Sequence, residues 1–425
     1  MHGVKRSLAP PSASAREARK KKEAAKLDEY LVVEKAFFDA KQQGALDESA
    51  LDATTNLLAA NPEHYTAWNY RRSVLSNLFA VGLSETSKAT QPVPDFFAAA
   101  REPQASSSSA ESSSSPGLLK RRLLEEDLAL TQEALRIHPK VYWIWNHRKW
   151  CLIEMPNEAS SDEKNEGLEA QAKLRAAKWQ REMGLVNKML ELDPRNFHGW
   201  DYRRYLLTQI ALASVHAYAS SPSSSQSLPS WPFTLTHPST PTAIQTHHLQ
   251  LARAELTYTL RKIEANFSNF SAWHQRSLVL PQVWGCETAE TKSGDRWKKL
   301  DEEFDLVRQA MYTDPDDSSV WLYHAWLVDQ LDHSEASSPE EQRDRQAKSL
   351  QREMDSISEL LEVEPESKWC LEALIRYQGL MNELQIEGGG EGRDRREMLR
   401  RLIEVDPDRR GRWASLLEKE QDKTS

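Results

Sequence analysis

NPEHYTAWNYRRSVL (61–75), HPKVYWIWNHRKWCL (138–152), DPRNFHGWDYRRYLL (193–207), NFSNFSAWHQRSLVL (266–280) and DPDDSSVWLYHAWLV (314–328) are five versions of one pattern. In four of them a proline stands six residues before a tryptophan: Pro62 before Trp68, Pro139 before Trp145, Pro194 before Trp200 and Pro315 before Trp321. Phe267 takes that place before Trp273. Two weaker copies follow, one with a shortened spacing from Pro365 to Trp369 and one with the full spacing from Pro407 to Trp413.

Each copy follows a segment with helical periodicity. Leu124, Leu128, Thr131 and Leu135 fall at i, i+4, i+7 and i+11, as do Leu300, Phe304, Val307 and Met311. The Asn/Asp/His-Pro pair ends that helix, because proline pushes the preceding residue out of the helical region and has no backbone N–H to donate. A second helix then carries the tryptophan, and its apolar face continues at Leu75, Leu152, Leu207 and Leu280. A helical hairpin of this kind cannot bury both faces alone, so the units must stack on their neighbours. The expected fold is all-α: a right-handed α-solenoid, a crescent of tandem helical hairpins over residues 27–417.

Working outward, the intervals between successive tryptophans of the pattern are 77, 55, 73, 48, 48 and 44 residues. The excess length falls in polar, Ser/Pro-rich stretches at 81–117, 156–172, 211–246 and 331–346, which are expected to be disordered insertions because they bury too little apolar surface to offset ordering entropy. Residues 1–26 hold eight Lys/Arg against two Glu, so with a total of −9 the rest of the chain carries −15. A flexible basic arm is expected there, and a short tail at 418–425. A body so acidic argues against nucleic-acid binding, which needs a basic face. Mean hydropathy is −0.68, and no run of apolar residues approaches membrane-spanning length. The three cysteines, Cys151, Cys286 and Cys370, are too scattered for a disulfide framework or a metal motif, which suits a reduced, cytoplasmic protein.

Columns of the repeat separate scaffold from specialisation. Three residues after the tryptophan stand Arg71, Arg148, Arg203, Arg276 and His324, which suits a structural tie to the neighbouring hairpin. Three before it stand Tyr65, Tyr142, Phe197, Phe270 and Ser318, and packing is expected for most of them. The fifth position before it reads Glu63, Lys140, Arg195, Ser268 and Asp316, and the second before it Thr66, Trp143, His198, Ser271 and Ser319. Neither column suits a common scaffold role, so Lys140 and His198 are candidate ligand contacts in turns that line one rim. His247–His248 reads as a solvated pair. No Gly-rich phosphate loop, HExxH, GxSxG or CxxC occurs.

Pro-x5-Trp-x2-Arg, with an aromatic before the tryptophan and a leading Asn/Asp, resembles the repeat of protein prenyltransferase α subunits over residues 46–330. Within that family, MHGVK, FFDAKQQGALDESALDATTNLLAANP (37–62) and NFSNFSAWHQRSLVLPQ (266–282) are similar to the Rab geranylgeranyltransferase branch. The resemblance implies a heterodimer with an α/α-barrel β subunit that holds zinc, with magnesium a further candidate, and most of the isoprenoid pocket. The implied reaction moves the geranylgeranyl group of geranylgeranyl diphosphate to C-terminal cysteines of Rab GTPases presented by an escort protein. It also implies that Lys140, with Tyr142 and His198 beside it, serves the diphosphate, and that His2 is a candidate visitor to the β-subunit metal. The immunoglobulin-like insertion and leucine-rich repeats of animal members are not read in this chain. Two alternatives stand beside this: the α subunit shared by farnesyltransferase and type I geranylgeranyltransferase, acting on CaaX proteins, and a non-enzymatic tetratricopeptide-like scaffold.

Overall fold

The structure, a computed structural model, describes residues 12–84, 116–156, 168–218, 228–288, 294–333, 338–384 and 394–422. Among these residues every regular element is helical. The chain divides into two compact units, Met1–Ser161 and Asp162–Ser425.

The first unit begins with α1 (Ala13–Gln42), started by the Ser12 hydroxyl accepting from the Ala15 N–H and packed through the fully buried Phe37. Two hairpins follow, α2 (Glu48–Ala60) with α3 (Tyr65–Ser84) and α4 (Pro116–Ile137) with α5 (Tyr142–Glu154). Their shared core holds Leu75, Phe79, Leu123, Leu124 and Cys151. The second unit contains α6 (Leu168–Leu192) with α7 (Phe197–Tyr218), α8 (Thr242–Ala265) with α9 (Phe270–Thr288), and α10 (Gly294–Thr313) with α11 (Ser318–Gln330). It closes with α12 (Pro339–Val363), α13 (Lys368–Glu383), α14 (Arg395–Val405) and α15 (Arg410–Asp422).

The repeat spacing has a direct physical cause. In the five main copies the indole N–H donates to the backbone carbonyl six residues earlier: Trp68 to Pro62, Trp145 to Pro139, Trp200 to Pro194, Trp273 to Phe267 and Trp321 to Pro315, at 2.7–2.9 Å. The acceptor is main chain, which is why Phe267 substitutes for proline without loss of the bond. All five rings are at most 4% exposed, and truncating such a ring to alanine costs about 3–5 kcal/mol.

The arginine column is also structural, as expected. The Arg71 Nη1 donates back to the Leu51 carbonyl and Thr54 hydroxyl of α2, while Nε and Nη2 grip Asp127 of α4 at 2.9 and 2.6 Å. Arg276 repeats this with the Leu256 carbonyl behind it and Glu303 of α10 ahead. Arg203 grips Glu255 of α8. Where His324 replaces arginine, it bonds the Tyr377 hydroxyl at 2.7 Å and Glu353 at 3.2 Å. Arg71, Arg203, Arg276 and His324 thus tie their own hairpins to the next, while Arg148 bonds the Leu128 carbonyl and Thr131 hydroxyl of its own hairpin.

Several sequence expectations are corrected. Residues 13–26 of the basic N-terminal segment form the exposed first half of α1. Helix α15 reaches Asp422, into the expected tail. The expected insertions at 81–117 and 156–172 give way to helix at their edges, and 339–346 belongs to α12, with Gln346 buried. Within 211–246, α7 continues to Tyr218 and residues 228–241 pack in order over α7, α8 and α9. Trp231 and Leu235 bury there, and the Thr236 methyl lies where a side chain on Gly285 would have to stand, 2.8 Å from its β-carbon position. His248 is not solvated: it is fully buried between Ser214 (2.9 Å) and Thr234 (2.7 Å). Burial pushes its imidazole down to about 4. Leu331–His333 form a short 3-10 helix with Leu331 buried, and 85–115, 157–167, 219–227 and 334–337 lie outside the described residues.

Candidate functional site

Each turn between the helices of a hairpin repeats one backbone design. The residue seven before the tryptophan offers its carbonyl to the N–H four before it, as His138 does to Val141 and Asp193 to Asn196. The residue four before the tryptophan is the N-cap of the second helix, where a side-chain oxygen or nitrogen meets orphan N–H groups. The side chain of His64 accepts from the Ala67 N–H, Asn196 from His198 and Gly199, Asn269 from Ala272, and Asp317 from Ser319. In α5 the same place is Val141, which makes no side-chain cap hydrogen bond. This column, His/Val/Asn/Asn/Asp, was readable in the sequence as a cap column with one apolar exception. The aromatics and charges on either side are the more conspicuous letters and obscure it.

Lys140 lies beside that exception and is exposed, with Tyr142 two residues on. Tyr142 is 52% exposed, and Tyr65, Phe197 and Phe270 stand out similarly at the starts of α3, α7 and α9. The expectation that these aromatics pack is therefore corrected: within this chain they form exposed faces at the helix starts. In the first unit the Tyr65 ring lies 5.5 Å from Trp143, and Tyr142 meets Trp143 edge-on at 5.3 Å. In the second unit Phe197 lies 4.0 Å from the half-buried His198, and Phe270 stacks on His274 at 6.0 Å. Adjacent turns are stitched there by a hydrogen bond, the amide of the fully buried Asn269 donating to the Pro194 carbonyl that also receives Trp200.

Of the candidate site residues, Lys140 and Tyr142 stand together at the start of α5. His198 holds the analogous place at the start of α7, in the other unit. His2 lies outside the described residues.

Among the described residues one group has metal-ligand spacing: Asp127, His147 and Cys151, all buried. Its chemistry does not fit a metal. Both Asp127 oxygens are taken by Arg71, and one of them also meets His147 Nε2 at 2.7 Å. Burial alone would raise the Asp127 carboxyl, but Arg71 and His147 outweigh it and hold the group well below the usual carboxylate range. Burial pushes the Cys151 thiol far up, and Arg72 approaches His147 from its other nitrogen at 3.3 Å. Two guanidinium groups in contact with the cluster oppose a further cation. The group is a hairpin tie.

Comparison with known proteins matches the protein prenyltransferase alpha subunit repeat at residues 47–78, 124–155, 179–210, 252–283 and 300–331. These windows fall on the five helix pairs from α2 with α3 to α10 with α11. The chain is 32% identical over 99% of its length to the geranylgeranyl transferase type-2 subunit alpha of Schizosaccharomyces pombe, of which 98% is covered. To the Homo sapiens protein of the same name it is 31% identical over 79% of its length, spanning 43% of that longer relative. It is also similar to a chain in the solved structure of Candida albicans protein geranylgeranyltransferase-I complexed with GGPP, at 17% identity and a TM-score of 0.48, over 92% of this chain and 90% of that one.

Proposed function

The chain belongs to the family of geranylgeranyl transferase type-2 α subunits, and from that premise we propose that it works as one half of a heterodimer, presenting Lys140 to the diphosphate of geranylgeranyl diphosphate. Its partner is the β subunit that completes the pocket. The acceptors are C-terminal cysteines of Rab GTPases brought by an escort protein, in the cytoplasm.

In this reaction a cysteine thiolate attacks the first carbon of the isoprenoid, the carbon–oxygen bond breaks, and diphosphate departs with the electron pair. Zinc held by the β subunit supplies a deprotonated, placed thiol. This chain's share is electrostatic. A preorganised cation beside the leaving group stabilises charge that grows in the transition state. The start of α5 supports that role, because a helix N-terminus favours an anion. The N-cap Val141 makes no side-chain hydrogen bond to it, whereas the N-caps of α3, α7, α9 and α11 supply their own acceptors. The single observation that carries the reading is this pairing of an uncapped helix start with an exposed lysine in the preceding turn. Tyr142 borders the same turn. His198 is assigned to the diphosphate on the family resemblance alone.

The test is Lys140→Ala in the chain co-expressed with its β subunit. Single-turnover transfer should fall by roughly 10²-fold, with heterodimer yield and thermal midpoint unchanged. An unaltered transfer rate would sink the proposal and favour a scaffold. Transfer to an isolated CaaX peptide without the escort protein would move the chain to the shared α subunit of the CaaX enzymes.

A further inference from the structure

Trp143 stands in a column that otherwise holds Thr66, His198, Ser271 and Ser319, and nothing in the hairpin plan requires an indole there. Its half-buried ring joins two successive turns. The Tyr65 ring, from the first residue of α3, lies 5.5 Å away at 33°, and the Tyr142 ring, from the first residue of α5, meets it edge-on at 5.3 Å and 78°. Both tyrosines are more than half exposed, so this aromatic group sits at the surface rather than in the core. An edge-to-face pair favours one ring setting over the others an exposed phenol would visit. The hydrogen bond that couples adjacent turns in the second unit, from Asn269 to the Pro194 carbonyl, is replaced here by ring contacts.

Resting on the diphosphate reading above, we propose that Trp143 is a positioning residue: braced against Tyr65, it holds Tyr142 in one setting beside Lys140, where the isoprenoid diphosphate is engaged. Trp143 acts through Tyr142 and does not itself carry charge to the substrate. The two residues therefore form one functional unit, and removing either should remove most of what both contribute.

The experiment is a double-mutant cycle in the full chain paired with its β subunit, read as single-turnover transfer from geranylgeranyl diphosphate at saturation. Trp143→Ala should slow transfer roughly 10-fold, and Trp143→Phe, which keeps an aromatic edge, should stay within about 2-fold of the parent. In a Tyr142→Ala background the same Trp143→Ala change should cost less than about 2-fold. The same loss in both backgrounds would overturn the proposal, since the residue would then act independently of Tyr142. So would an unchanged rate in Trp143→Ala where Lys140→Ala is slow. A full rate in Lys140→Ala would overturn the diphosphate reading and this one with it. If Trp143→Ala lowers the yield of folded heterodimer, Trp143→Leu enters the cycle in its place, keeping apolar volume while removing the ring edge, with the same outcomes decisive.

Discussion

The turn before α5 and the turns before α7 and α9 share a backbone and differ in almost everything mounted on it. All three use the carbonyl six before the tryptophan as the indole acceptor, and all three follow with an arginine that reaches back to the first helix of its own hairpin or on to the next, Arg148 to the Leu128 carbonyl, Arg203 to Glu255 and Arg276 to Glu303. At α7 and α9 the cap is an asparagine, and Asn269 also reaches across to the Pro194 carbonyl. At α5 the cap is valine, the flanking residue is lysine, and an indole stands where serine or histidine stands elsewhere. The repeat fixes energetics at the acceptor, tryptophan and arginine positions. Chemistry is free to vary at the exposed positions between, such as those of Lys140 and Tyr142, since those side chains bear little of the fold's stability.

That division can be broken at both ends. The largest expected effect is on the shared frame. Arg71→Ala and Arg276→Ala each remove the guanidinium partner of a buried carboxylate, Asp127 or Glu303, and each should cost about 3–5 kcal/mol, measured by urea denaturation of the chain. A cost confined to one of the two would show that the frame is not common property. Next is Asn269→Ala, which removes the α9 cap and the bond to Pro194 together; a loss of about 2 kcal/mol by the same measurement is expected. The smallest and most pointed change is Val141→Asn. Supplying the missing cap should raise stability by about 1 kcal/mol, while transfer falls because the new side chain takes the N–H groups offered to the anion. Higher stability with undiminished transfer would mean that the valine has no bearing on the reaction.

The frame was legible because it repeats. A carbonyl, an indole and a guanidinium kept at fixed spacing through five copies left a trace in the letters alone, and the helix pairs follow from it. Lys140 stood out for the complementary reason, as a charge in a column with no common requirement. What stayed hidden depends on contacts between distant segments. Nothing in Tyr65, Tyr142, Phe197 or Phe270 says whether an aromatic at a helix start turns inward, and the structure leaves all four exposed. The Ser/Pro composition around 228–241 masked Trp231 and Leu235, and with them the burial of His248, whose partners are Ser214 from α7 and Thr234 from within the segment itself.

The indole bond to a main-chain oxygen also governs how such a chain tolerates drift. Any residue supplies a carbonyl, so copies can shed their prolines one at a time without a large penalty, while a lost tryptophan has no substitute. The final copy shows a further step, with Trp413 bonding the Asp406 carboxylate at 2.9 Å instead of a peptide oxygen. Counting prolines therefore underestimates how many ancestral units survive, and the indoles are the more durable record of duplication.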